Sequence, residues 1–400
     1  MVSISRLLCG TVTPGDALRY GRESGRLPAH LLHFSADKKP VVVWNCTRRC
    51  NLRCVHCYAS SSDQAYPGEL TTEEGMLFLE ELARFGVPTV LFSGGEPLLR
   101  PDLLELIPYA REIGLRCVLS TNGTQITPEL AARLKEAGLQ YVGVSIDGIG
   151  AVHDRIRGQR GAFDAALAGI RHCLAAGLRV GLRFTVHRLN RDQLPAVFDL
   201  LEREGIPRCC IYHLAYAGRG EKLQRHDLTP EETRAVLDEI FARVRDLHQR
   251  GIEKDILTVD NHADGPYLYL QVQRDDPARA AEVYDLLRWN GGNQSGIAVA
   301  CVDNLGNVHP DQFSWHVHLG NVRERPFGEI WSDRSHPVMA LLKERASRLK
   351  GRCAGCRFLE VCNGNLRVRA QQYHGDWLAP DPACYLTAEE IAPAKESEGH

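Results

Sequence analysis

Hydrophobic and polar positions along this chain follow two alternating rhythms. Pro40-Val41-Val42-Val43-Trp44 is a short apolar run rich in β-branched residues, the pattern of a buried strand. Thr71 with Glu74 three residues on forms a capping box, and Met76, Leu79 and Ala83 mark the apolar face of the helix it opens. Residues 87–92 read as a strand, Pro101 opens a helix, and 116–120 is strand-like again. Thr127-Pro128 is a cap followed by proline at the first helical position; Leu130, Leu134 and Ala137 form the buried stripe, and Gly138 stops the helix. The alternation continues through a strand at 141–146, a helix at 162–176, a strand at 179–186, a helix at 193–204 and a strand at 208–214. Thr229 and Glu232 cap a later helix that runs to about Gln249.

Six strands separated by helices imply an α/β fold with a parallel sheet and right-handed crossovers. They fit a partial (β/α)6 TIM-like barrel, open on one side; an open doubly wound sheet has the same periodicity. The chain divides into a preamble (1–39), the barrel (40–220), a helical connecting region (221–299), a small metal-stapled domain (300–390) and a tail (391–400).

With 400 residues, 44% hydrophobic, the chain can build a large core. A net charge of −2 without a basic block argues against nucleic acid as a partner. No apolar run approaches a membrane span and no signal peptide is evident, so the expectation is a cytoplasmic protein that needs no membrane. Fourteen cysteines in a chain of this size, several tightly clustered, suggest metal ligands in a reducing compartment rather than disulfides. Cys9, Cys117, Cys173, Cys209 and Cys210 lie outside the clusters and read as buried small hydrophobes.

Directly after the first barrel strand come Cys50, Cys54 and Cys57, spaced CxxxCxxC, followed by Tyr58. An iron–sulfur cube normally takes four thiolates, so three leave one iron open to a small molecule. A zinc knuckle with Cys46 or His56 as fourth ligand is the alternative, although Cys46 reads better as a strand thiol. Ser93-Gly94-Gly95-Glu96-Pro97 follows the second strand, where glycines let backbone approach a ligand and a carboxylate can meet an ammonium. Asn122 ends the third strand. Ser145 and Asp147 end the fourth and share a face, with Asp147 read equally well as a turn former. Arg183 shares a face with Thr185 and His187 on the fifth. All lie at C-terminal strand ends, where parallel barrels gather their active sites.

CxxxCxxC after the first strand, with an aromatic behind it and a Gly-Gly-Glu turn after the second strand, resembles the radical S-adenosylmethionine (SAM) superfamily. That resemblance makes Cys50, Cys54 and Cys57 the ligands of a SAM-binding 4Fe–4S cluster. It places Tyr58, Gly94, Gly95, Glu96, Asn122, Ser145 and Arg183 around SAM, with Glu96 holding the methionyl amine.

Near the C-terminus Cys353, Cys356, Cys362 and Cys384 give CxxC-x5-C with a distant fourth thiol, similar to the SPASM or twitch extension that carries an auxiliary 4Fe–4S cluster. Structural zinc is the alternative. The full SPASM pattern has a cysteine where Leu366 stands, so the chain departs from it there. Cys301 matches an early SPASM cysteine without its partners and reads as a buried thiol.

Segments 9–11, 16–20, 38–45, 212–220, 259–265 and 320–323 resemble the radical SAM enzymes that edit side chains of iron tetrapyrroles in haem biosynthesis. Two branches stay open. One removes acetates from 12,18-didecarboxysirohaem to give Fe-coproporphyrin III. The other, which the 303–310 stretch resembles, removes propionates in haem d1 synthesis. A peptide-modifying SPASM maturase is a third possibility, but 1–39 is short for a peptide-docking domain. The resemblance implies an iron-tetrapyrrole substrate and an electron donor such as a ferredoxin or flavodoxin. Histidines could ligate the substrate iron and arginines pair with its carboxylates. The candidates are His213, His262, His309, His316, His318, Arg183 and Arg219.

Overall fold

The computed structural model describes residues 1–12 and 39–393. The 16–20 segment and most of the preamble and tail lie outside the described residues, as does Lys38. The strands are β1 (Val2–Ser3), β2 (Val41–Thr47), β3 (Val90–Gly94), β4 (Cys117–Thr121), β5 (Val142–Ser145) and β6 (Val180–Val186). They continue as β7 (Arg208–His213), β8 (Asp255–Val259), β9 (Val299–Val302), β10 (Asn307–His309) and β11 (Gly320–Asn321). All join one sheet in the order β1-β8-β7-β6-β5-β4-β3-β2-β9-β10-β11.

From β2 to β8 each strand pairs in parallel with the next in sequence. A doubly wound sheet would reverse its strand order at a switch point. This one does not, so the partial-barrel reading holds. Two parallel strands extend the expected six: β8 adds beyond β7, and β9 pairs with β2 on the opposite flank. The region 221–299, expected as a helical connector, therefore supplies a barrel strand as well as the helix Pro230–Gln249. β1 then pairs antiparallel with β8, and β10 and β11 continue antiparallel from β9.

The core lies between the sheet and its helices. Trp44 of β2 is fully buried, with Phe78 at 5.3 Å and Phe92 at 5.6 Å between ring centroids. Phe78 belongs to the helix Thr72–Phe85, whose capping box on Thr71 and Glu74 is formed as the sequence suggests. Its buried face is Gly75, Phe78, Leu79 and Leu82; Met76 and Ala83 sit at the margin instead. Gly75 has a steric reason, since a Cβ there would come within 2.9 Å of the Trp44 ring. Leu130 is likewise marginal, and Ala131 and Leu134 are the buried residues of Pro128–Glu136.

The C-terminal segment is tied to the barrel rim by a buried ion pair. Arg369 and Asp381 are both fully buried and meet at 2.8 Å. Arg369 also donates to the carbonyls of Leu214 and Asp260, just beyond β7 and β8. Removing either charge would strand the other in the interior, a change worth about 3–5 kcal/mol. No helix among the described residues is long and apolar enough to cross a membrane.

Candidate active site

The C-terminal ends of β2 to β8 surround a cavity lined by Cys50, Cys54, Cys57, Asn122, Ser145, Arg183 and others. The cysteine loop leaves β2 and is pinned from several sides. Cys50 N–H donates to Ser62 O, Arg53 N–H to Arg157 O, and Val55 N–H to Ile156 O. Cys50 and Cys54 are buried and Cys57 is half-buried. Burial pushes the Cys50 thiol up to about 12, with its neighbours Cys54 and Cys57 adding to the rise. Metal binding is what deprotonates thiols so placed.

Two donors point at this sulfur set. Arg157 Nη1 lies 3.5 Å from Cys54 Sγ, and Asn122 Nδ2 lies 3.9 Å from Cys50 Sγ. Arg157 Nε is buried without a hydrogen-bond partner among the described residues. An unpaired buried donor beside three thiols fits an acceptor-rich inorganic cluster. Among the described residues, no three His, Cys, Asp or Glu side chains converge as ligands of a single metal ion. A cube spreads its thiolates over separate irons and needs no such convergence.

Asp147 belongs to this group rather than to a turn. It is fully buried, accepts from Thr185 N–H at 2.9 Å, and meets Arg157 at 2.6 Å and His56 at 3.3 Å. Burial raises its carboxyl, but the Arg157 cation and His56 outweigh burial and hold it at about 2. Burial pushes His56 down to about 3, so it is neutral at physiological pH.

Gly94 and Gly95 line the cavity, and nothing larger fits there. Gly94 has φ +140°, and a Cβ there would fall 2.1 Å from the carbonyl of Thr47 at the end of β2, as one at Gly95 would from that of Arg49. Glu96 lies next in sequence, outside the residues that line the cavity. Its carboxyl lies behind the cavity wall, fully buried, with both oxygens occupied by protein donors. Oε1 accepts from Thr121 Oγ1 at 2.7 Å and Leu98 N–H at 3.1 Å, and Oε2 from Asn122 N–H at 2.7 Å. Glu96 therefore clamps the β3 loop to the β4 loop.

Tyr58 lines the cavity, donates to Asn45 Oδ1 at 2.9 Å and meets the Phe313 ring edge-on at 5.5 Å. Arg183 crosses the cavity wall with its guanidinium 4.8 Å from the centroid of Tyr212. Neither His187, buried beside His56, nor Asp147 shares the cavity wall with Arg183 and Thr185.

The remaining candidates separate. His213 lines the cavity, with Nε2 3.0 Å from Asp264. Arg219 lines it too, but donates to Cys54 O at 2.7 Å and Ser61 O at 2.8 Å. It braces the cysteine loop through these two donors, while its Nη2 is buried without a partner among the described residues. His309 is fully buried with both ring nitrogens engaged, by Val317 O and Asp303, and is structural. His316 and His318 are exposed, and His316 stacks on Trp377 away from the cavity. His262 is buried behind the wall. Cys301 accepts from Asn45 Nδ2 at 3.1 Å and is a buried thiol, and Cys46 donates to Ser93 O.

Sequence reasoning missed Arg157, Tyr212 and Asp260. Tyr212 could have been found, since β7 aligns it with Thr185 of β6. Asp260 has φ +66°, rare for a residue with a side chain, and its carboxyl lines the cavity. Burial raises that carboxyl to about 6.

The second thiol set lies apart from this cavity. Cys362 is buried beside Cys384, Cys353 and Cys356; burial first, and then these neighbours, raise its thiol well above the usual value. Fully buried Arg367 adjoins Cys353 and Cys362. Its Nη1 donates to Trp377 O and Ala379 O, while Nε and Nη2 are buried without partners among the described residues. Four thiols and an unsatisfied guanidinium fit an anionic metal–thiolate centre.

Comparison with known proteins follows this geometry. The Radical SAM superfamily model matches residues 44–201. The chain is 58% identical to the Fe-coproporphyrin III synthase of Methanosarcina barkeri, over 98% of this chain and 99% of that protein. It is 45% identical to the pre-heme d1 synthase of Dinoroseobacter shibae, over 90% of this chain and 89% of that one. Streptococcus suis SuiB bound to S-adenosylmethionine shares the fold at a TM-score of 0.70 and 15% identity, over 88% of this chain and 78% of that one. The chain belongs to the radical SAM superfamily, whose enzymes run on a 4Fe–4S cluster and S-adenosylmethionine.

Proposed function

We propose that this enzyme removes the acetate side chains of 12,18-didecarboxysirohaem to give Fe-coproporphyrin III. The observation that carries this reading is 58% identity, over nearly both whole chains, to a protein named Fe-coproporphyrin III synthase. The cavity chemistry supports it: Arg183 offers a half-buried cation with no hydrogen-bond acceptor among the described residues, suited to a carboxylate.

Cys50, Cys54 and Cys57 would hold the SAM-binding cluster. Tyr58, Gly94, Gly95, Asn122, Ser145 and Arg183 would surround SAM, with Glu96 fixing the loops from behind. Cluster and SAM together supply a 5′-deoxyadenosyl radical that takes one hydrogen atom from the substrate. The chain's own part is to orient and exclude. Arg157 and Asn122 direct N–H groups at the thiols, and Val43, Leu52, Leu91 and Phe313 make the apolar lining that keeps water away. Cys353, Cys356, Cys362 and Cys384 would hold an auxiliary 4Fe–4S cluster in a small domain spanning 300–390. A ferredoxin or flavodoxin would supply electrons in the cytoplasm.

The second reading is propionate removal, favoured by the 45% identity to a pre-heme d1 synthase. Anaerobic turnover decides between them. The reconstituted protein is given SAM, reductant and 12,18-didecarboxysirohaem, and the tetrapyrrole is weighed by mass spectrometry. Loss of two acetate arms with methyls left behind is the expected result. Loss of propionates would move the enzyme to the other branch. An untouched substrate beside abundant 5′-deoxyadenosine would overturn both.

A further inference from the structure

We infer that His213 is the residue that exchanges a proton with the substrate, held in its working tautomer by Asp264. His213 ends β7, lines the cavity and is 5% exposed. Its Nε2 lies 3.0 Å from Asp264 Oδ2. Asp264 is fully buried, and its other oxygen accepts from Tyr385 Oη at 2.7 Å. A carboxylate so placed can only accept, so Nε2 carries the hydrogen and Nδ1 carries the lone pair. No hydrogen-bond partner for Nδ1 stands among the described residues. A buried acid–histidine pair with one free ring nitrogen, on a residue that lines a cavity, is an arrangement suited to proton transfer.

The same geometry argues against His213 as an iron ligand. Nδ1 is bonded to the ring carbon that carries Cβ. A flat macrocycle brought to bonding distance of Nδ1 would meet His213's own Cβ, whereas a single hydrogen meets no such obstacle.

This inference rests on the acetate-removal reading, which needs such a group. The bond from the ring carbon to a –CH2–COO⁻ arm breaks, and a hydrogen atom leaves the neighbouring ring carbon for the 5′-deoxyadenosyl radical. The macrocycle gains a double bond. The departing carbon then needs one electron, from an iron–sulfur reductant, and one proton to become acetate. His213 gives that proton from its protonated form and regains one from solvent. The charged and titratable groups around it are Asp264 and Tyr385 on one side, Asp260, Arg183 and Tyr212 along the wall, and His262 and Arg369 buried behind it.

The test uses the reconstituted enzyme with SAM, reductant and 12,18-didecarboxysirohaem in D2O, measuring 5′-deoxyadenosine and acetate together. Wild type should place one solvent deuterium in the methyl group of released acetate. His213→Gln should keep forming 5′-deoxyadenosine while acetate per 5′-deoxyadenosine falls by about 100-fold. Added imidazole should restore part of the loss in His213→Ala. Asp264→Asn should lower acetate yield and shift the pH profile of acetate release, which a merely structural role would not do. Acetate released by His213→Gln at the wild-type ratio would overturn the inference while leaving the enzyme's function standing. Acetate carrying no solvent deuterium from wild type would overturn it too. Absence of acetate from wild type would overturn the functional reading, and the inference with it.

Discussion

Arg157 stands between a thiol and a carboxylate, with Nη1 3.5 Å from Cys54 Sγ and Nη2 2.6 Å from Asp147 Oδ2. Hydrogen bonds to cluster sulfurs help set reduction potential, and a cation there favours the more negative, reduced state. Arg157→Lys keeps a charge for Asp147 but cannot reach both partners. We expect the potential of the SAM-binding cluster to fall by on the order of 50 mV, since one electron shifted by about 59 mV equals about 1.4 kcal/mol. Redox titration followed by electron paramagnetic resonance would show it. An unchanged potential would mean that Arg157 only balances Asp147.

Arg183 faces the cavity from β6, with the Tyr212 ring 4.8 Å from its guanidinium. Hydrogen bonds to charged groups are worth about 1.5–3 kcal/mol, or roughly tenfold to a hundredfold in affinity. Arg183→Met should weaken SAM binding by that much, measured by calorimetry on the reconstituted protein. Unchanged SAM affinity with weakened tetrapyrrole binding would reassign the cation to the substrate.

These two arginines mark how far the sequence reaches. The barrel strands from β2 to β7 were legible because each is a short, largely apolar run between helices marked by caps and glycines, and β2 leads directly into the cysteine loop. Arg183 was legible because alternation on a strand fixes its face. Arg157 was not, because it lies in the arginine-rich segment Arg155-Ile156-Arg157-Gly158-Gln159-Arg160, where periodicity does not identify which side chain turns inward. β8 was hidden by its position after a long polar helix, beyond the regular strand–helix alternation. The role of Glu96 depends on whether its carboxyl passes in front of or behind the Gly94-Gly95 backbone, a question of tertiary packing that motif spacing does not contain.

The C-terminal thiols make a separate prediction. Cys362→Ala removes the thiol that neighbours the other three. Iron and sulfide content should fall by about half, four of eight irons, if each set holds one 4Fe–4S cluster. SAM cleavage at the first site should persist. Zinc in the purified wild type, with iron for a single cluster, would assign the quartet to structural zinc. Arg367→Met should loosen whatever the quartet holds, because its two unpaired nitrogens have no other partner among the described residues.

Glu96 gives a pH dependence with a definite sign. Burial pushes its carboxyl up from 4.5 to about 7, against the donors Asn122 N–H, Thr121 Oγ1 and Leu98 N–H. Between those values the folded chain keeps a proton that the unfolded chain has released, so Glu96's contribution to stability falls as pH rises. Glu96→Gln does not titrate, and it turns an amide donor toward one of the three donors, a cost of about 1–3 kcal/mol. The stability advantage of wild type over Glu96→Gln should therefore shrink from about pH 5 to about pH 7.5, followed anaerobically by thermal unfolding. If the advantage instead grows with pH, the three donors outweigh burial, and Glu96 clamps the β3 and β4 loops as an anion.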